Sequence, residues 1–127
     1  MPGNPLPSVA LLIVEDDMIT AMTLEDELSD AGYRVAASFV SCSAALTWLK
    51  SEKPDAAVLD IRLSDGLCTE LAIELNRRSV PFVIYTGNVK ALNKIAALDV
   101  ATWVQKPSPI SAIRLALEDL LDPVLLA

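Results

Sequence analysis

The 127-residue chain has no histidine. That absence excludes Ser-His-Asp catalysis, His-ligated zinc and any phosphohistidine formed within the chain. Cysteine is scarce: Cys42 and Cys68 lie far apart and match no metal-ligand spacing. The expectation is two reduced cysteines acting as small hydrophobes, with nothing in the sequence to support a disulfide. Hydrophobic residues make up 53% of the chain. Even so, no apolar run approaches the roughly 18 residues that read as a membrane span. Basic runs are missing too, and the formal net charge is −7. Direct binding to nucleic acid is disfavoured, because phosphate backbones call for clustered Lys and Arg. Met1–Ser8 carries neither a positive charge nor a long apolar region, so no secretory signal is expected. It reads as a flexible Pro-rich lead to a cytoplasmic protein.

What remains is one domain with a regular alternation. Apolar runs of strand length, Val9–Val14, Ala56–Leu59, Phe82–Tyr85 and Trp103–Gln105, are separated by helix-like stretches. Tyr33–Ala37 adds a second short strand. Met18–Ala31 reads as a helix with Ile19, Met22 and Leu28 on one face, stopped by Gly32. Asp17 faces solvent or caps that helix. Ser41 is a candidate N-cap for a helix carrying Ala45, Trp48 and Leu49. Ser64-Asp65-Gly66 predicts a turn before a helix that ends near Arg78. The solvated side of that helix carries Glu70, Glu74, Arg77 and Arg78. Pro81 opens the next strand, and Ala91–Leu98 predicts a short helix. Ser108-Pro109 offers an N-cap and first-turn proline for a last helix that Pro123 ends, with Ile113, Leu117, Leu120 and Leu121 inward. Trp48 and Cys68 read as packing. Five β-α units of this kind predict an α/β fold, a parallel sheet with helices on both faces.

Each long apolar run ends in a different polar group. Glu15 and Asp16 follow the first, Asp60 the third strand, Thr86 the fourth and Lys106 the fifth. In a parallel sheet these carboxyl ends share one edge, where ligands bind. Three carboxylates crowded together repel, and a divalent cation such as Mg²⁺, which prefers oxygen ligands, resolves the conflict. A carboxylate is a competent phosphoryl acceptor, and an amine neutralises the oxygens of a transferred group.

The segments Leu11-Leu12-Ile13-Val14-Glu15-Asp16-Asp17, Ala57-Val58-Leu59-Asp60-Ile61-Arg62-Leu63, Thr86-Gly87 and Lys106-Pro107 together resemble the receiver domains of two-component response regulators. The resemblance covers nearly the whole chain, in the family's order. It implies a flavodoxin-like (βα)5 doubly wound sheet with strand order 2-1-3-4-5. The receiver would span residues 9–122, between the lead 1–8 and a tail 123–127. Asp60 would be the phospho-acceptor and cofactor Mg²⁺ would be held by Glu15, Asp16, Asp60 and the backbone carbonyl of Arg62. Lys106 would pair with the phosphate, and a cis peptide would precede Pro107. Thr86 and Trp103 would form the switch. The donor would be a histidine kinase or a phosphotransfer protein. Phosphorylation would alter binding of a downstream protein at the face of the fourth helix, fifth strand and fifth helix. The domain would be no turnover enzyme beyond promoting its own phosphorylation and dephosphorylation.

Val80-Pro81-Phe82-Val83-Ile84-Tyr85-Thr86-Gly87 is also similar to the Pro-Phe-x-Phe-Ala-Thr-Gly signature of an alphaproteobacterial receiver subfamily that works with HWE-type or related kinases. Tyr85 departs from it, standing where the signature has Ala. Ser64 replaces a usual Pro, Ser108 replaces a usual Phe, and Asn88 and Asn93 mark a short polar fourth helix. A stand-alone receiver, one excised from a hybrid kinase, and a phosphate sink all fit these motifs. A Mg²⁺-dependent aspartyl-phosphate phosphatase fits less well, because Arg62 occupies the position of its second Asp.

Overall fold

The computed structural model describes residues 9–63, 66–87 and 102–126, without the side chains of Arg62, Leu67 and residues 122–126. The lead, the Ser64-Asp65 turn, Asn88, Asn93 and the helix expected over Ala91–Leu98 lie outside the described residues. In chain order the elements are β1 Ala10–Val14, α1 Met18–Asp30, β2 Arg34–Phe39, α2 Cys42–Leu49, β3 Ala56–Leu59, β4 Arg62–Leu63, β5 Gly66–Leu67, α3 Thr69–Arg77, β6 Phe82–Thr86, β7 Thr102–Gln105 and α4 Ile110–Leu126. Five parallel strands pair in the order β2-β1-β3-β6-β7. β4 and β5 form a separate antiparallel pair where a turn alone was expected. With that pair set aside, the sheet has the doubly wound order 2-1-3-4-5.

Side-chain alternation divides the core between the two faces of the sheet. Leu12, Val14, Ala57, Leu59, Phe82 and Ile84 pack with Ala45 and Leu49 of α2 and with Leu71, Ala72 and Leu75 of α3. Leu11, Ile13, Ala56, Val58, Val83 and Tyr85 pack with Leu24 and Leu28 of α1 and with Ile113, Leu117 and Leu121 of α4. Strands covered on both faces have no position for a polar residue until they end. Every residue of β1, β3 and β6 is accordingly buried.

The helix ends follow local chemistry. Asp17 caps α1, its carboxylate accepting from the backbone N–H groups of Ile19 and Thr20. Gly32, with φ 104°, closes the other end: its N–H donates to Ser29 O, and that of Tyr33 donates to Leu28 O. This Schellman pattern suits glycine. α3 ends in the same way, with Ser79 at φ 60° in the position glycine would favour. Ser41 caps α2 through Ala44 N–H. Glu74 pairs with both Arg77 and Arg78, and Arg78 reaches the carbonyl of Leu49.

Several sequence expectations are corrected. The inward stripe of α1 is Ala21, Leu24 and Leu28, whereas Ile19 and Met22 are exposed. At about 100° per residue, Ile19 lies nine residues and half a turn from Leu28, on the opposite side. Cys42 and Cys68 are joined in a disulfide, with Cα atoms 5.6 Å apart. Their separation of 26 residues conceals that the first residue of α2 meets the residue that precedes α3. Ser108 does not cap the last helix: its hydroxyl donates to Gln105 O, and α4 begins at Ile110. Nor does Pro123 end that helix, which runs to Leu126. The missing proline N–H removes one ladder bond of that helix. The tail assigned to 123–127 is therefore helical through Leu126.

Candidate functional site

The carboxyl ends of β1, β3, β6 and β7 deliver the site. Backbone bonds fix each root: Glu15 N–H donates to Phe39 O, Asp60 N–H to Val14 O and Lys106 N–H to Thr86 O. Glu15, Asp60 and Thr86 are the buried polar or charged residues among those described, and Asp16 is exposed. One carboxylate oxygen from each of Glu15, Asp16 and Asp60 lies within 4.8 Å of the others. Lys106 Nζ enters this cluster from β7, donating to Asp60 Oδ2 at 2.8 Å and standing 2.7 Å from Glu15 Oε1. The second Glu15 oxygen accepts from Asp17 N–H at 3.0 Å.

The electrostatics show unequal compensation. Burial pushes the Glu15 carboxyl above its ordinary range, with the Lys106 ammonium and Asp17 N–H opposing that rise. Burial also works against the Lys106 charge, but the hydrogen bond to Asp60 and the nearby Glu15 carboxylate outweigh it and hold the ammonium above its usual value. Glu15 Oε1 has that ammonium as its charge partner, yet the contact is off the line of a hydrogen bond. This buried oxygen is left without a directed donor. An oxygen-only cluster with one amine among three acids, and an undirected buried oxygen, fits a hard divalent cation. Glu15, Asp16 and Asp60 are the side chains that could hold it. Arg62 lies two residues beyond Asp60, in β4.

The switch candidates share a sheet face. In register, Ile84 pairs with Trp103 and Thr86 with Gln105, so Thr86 and Trp103 both belong to the side covered by α2 and α3. Trp103 is half-buried against that core. The bond preceding Pro107 is cis. Sequence reasoning missed one participant, Tyr85. Its hydroxyl donates to Ser108 O at 3.1 Å and accepts from Ser108 N–H at 3.3 Å. Its ring centroid lies 5.4 Å from Lys106 Nζ. The available signal was its bulk at a position where the similar signature has Ala.

Residues 11–118 match the response regulator receiver domain family. The chain belongs to that family. The receiver is 31% identical over 116 residues to the response regulator MprA of Mycobacterium bovis (strain BCG / Pasteur 1173P2), covering 90% of this chain and 48% of MprA. It thus spans about half the length of that curated relative. It also superposes on the receiver domain of the PhyR response regulator of Erythrobacter litoralis with a TM-score of 0.79, at 28% identity and 90% coverage of both chains. SdrG of Sphingomonas melonis Fr1 gives a TM-score of 0.76 at 30% identity, covering 90% of this receiver and 97% of SdrG. Receivers are signalling domains phosphorylated by histidine kinases or phosphotransfer proteins. Among the described residues, no helix is long and apolar enough to cross a membrane.

Proposed function

We propose that this receiver is phosphorylated on Asp60 and that the modification alters its affinity for a protein partner. The observation that carries the reading is Lys106 set against two buried carboxylates, Glu15 and Asp60, at the shared edge of the sheet. The ammonium set there places a positive charge beside the proposed acceptor.

The chemistry follows from these positions. An Asp60 carboxylate oxygen attacks the phosphorus of a phosphohistidine on another protein. The new O–P bond forms as the N–P bond breaks, and the departing imidazole keeps the electron pair. Mg²⁺, held by Glu15, Asp16, Asp60 and the carbonyl of Arg62, would supply charge neutralisation for the transferred oxygens. Lys106 moves its donor bond from Asp60 Oδ2 to a phosphoryl oxygen. Thr86, buried at the end of β6, turns its hydroxyl toward the same group, and Trp103 on the same sheet face registers the shift. The phosphoryl group adds about −1.5 to −2 charges. The partner surface would comprise β7, α4 and the expected fourth helix. A cytoplasmic location, a kinase of HWE or related type, and a direct role without nucleic acid or membrane complete the proposal.

In this reading the donor docks on the start of α1, which follows Asp16 and Asp17 directly. There Met18, Ile19 and Met22 are exposed beside Asp16 and Asp17, giving a docking protein an apolar foothold at the rim of the site. The deciding experiment is phosphate incorporation from a phosphorylated kinase or acetyl phosphate in Mg²⁺. Asp60→Asn should take up none, and undiminished labelling of that variant would overturn the assignment.

A further inference from the structure

Lys106 begins the loop that joins β7 to α4, which is tied within itself by the Ser108 hydroxyl on Gln105 O. Pro107 and Pro109 have no backbone N–H, so Ser108 supplies the single main-chain donor across residues 107–109. Tyr85 takes that donor on its hydroxyl oxygen and returns its own proton to Ser108 O. The tyrosine comes from β6, one residue before Thr86 and in register with Val104. It is buried in the core under α1 and α4, so the hydroxyl is delivered from a rigid base. The same ring lies 5.4 Å from Lys106 Nζ, within the range at which an aromatic face attracts an ammonium.

We infer that Tyr85 is a positioning residue for Lys106. The hydroxyl fixes the backbone two residues after the lysine, while Lys106 N–H on Thr86 O fixes it at the lysine itself. At the far end of the four-carbon side chain Asp60 and Glu15 hold the ammonium, and the ring gives it a further contact on one side. The cation is thereby kept within reach of both Asp60 and the oxygens of an incoming phosphoryl group. The inference rests on the phospho-acceptor reading above.

A double-mutant cycle tests it, with acetyl phosphate as donor in saturating Mg²⁺ and phosphoprotein formation as the readout. Tyr85→Phe keeps the ring and core packing but loses the clamp. In the Lys106 background it should slow the limiting phosphorylation rate about tenfold, the scale expected when a reacting group is displaced by a fraction of an ångström. In a Lys106→Ala background the same change should cost less than about twofold, because its target is gone. Thermal melts of all four proteins, showing the same small loss from Tyr85→Phe in both backgrounds, separate positioning from folding. Equal slowing in both backgrounds overturns the inference, as does an unslowed Tyr85→Phe, and either result leaves the phospho-acceptor reading standing. Failure of the wild-type protein to become phosphorylated at all overturns both.

Discussion

Replacing Lys106 with Met keeps most of the side-chain volume and removes a cation paired with two of the three clustered acids. Glu15 and Asp60 lose contacts at 2.7 and 2.8 Å. Their side chains are only 2% and 9% exposed, that of Lys106 24%. Removing one partner of a buried ion pair typically costs about 3–5 kcal/mol, because the remaining charge stays buried and uncompensated. Water reaches a lysine with a quarter of its surface exposed, which places this case near the lower end, about 3 kcal/mol. In a domain of this size that corresponds to a melting temperature lower by roughly 10 °C. The pH dependence has a definite sign. Glu15 already titrates above its ordinary value because of burial, and loss of the lysine removes an opposing cause. A carboxyl with a raised folded pKa stabilises the fold while protonated and loses that contribution as pH rises through its folded value. The deficit of Lys106→Met should therefore be greatest at neutral pH and above and shrink as acidification protonates Glu15. Mg²⁺ should reverse it: metal at 100 times its dissociation constant contributes about 2.7 kcal/mol. With no ammonium competing for Glu15 and Asp60, the variant should also bind Mg²⁺ more tightly than wild type. Melts across pH with and without Mg²⁺, together with metal titrations, provide the measurement. Unchanged or weaker Mg²⁺ affinity in the variant would refute the reasoning, since the metal would then not share ligands with the lysine.

Other outcomes follow from separate features. Reduction of the Cys42–Cys68 bridge, which closes a loop of 26 residues, should cost about 3–4 kcal/mol on loop-entropy grounds. Two free thiols titrated in the denatured, unreduced protein would contradict the pairing. Ser79→Gly should stabilise the domain by about 0.5–1 kcal/mol in denaturant melts, because φ 60° at this helix end suits glycine. A destabilised variant would count against that geometry. Ile19→Asp should slow transfer from a phosphorylated kinase about tenfold while leaving acetyl phosphate labelling unchanged, since it alters an exposed docking turn. Equal slowing with both donors would place Ile19 in the site's own chemistry.

The sheet was legible because strands buried on both faces must be apolar until they end, so Glu15, Asp60 and Thr86 stand out as terminators, while Lys106 follows the half-buried edge strand β7. The acid cluster and the lysine then meet simply because parallel strands share an edge. The α1 face was less legible. Ile19, Met22 and Leu28 look like one apolar stripe, but at about 100° per residue it is Ala21, Leu24 and Leu28, three and four apart, that share a face and turn inward. The disulfide depends on α2 and the start of α3 meeting on the same sheet face, which no local pattern encodes. Ser108 looked like a cap because Ser-Pro often opens a helix, but its neighbouring carbonyl at Gln105 competed successfully for the hydroxyl. The role of Tyr85 required knowing that two prolines leave one main-chain donor facing it.

The short connection from Glu15 to α1 has a thermodynamic consequence. One Glu15 oxygen is held by Asp17 N–H, and the Asp17 carboxylate caps the turn that carries Met18 and Ile19. The acidic ligands and the apolar foothold are therefore two ends of a single hydrogen-bonded strap. A protein that tightens that turn on docking would change the affinity for Mg²⁺, and the ion must change the affinity for that protein by the same factor. Metal concentration would then set how readily a donor is accepted, before any phosphoryl group has moved.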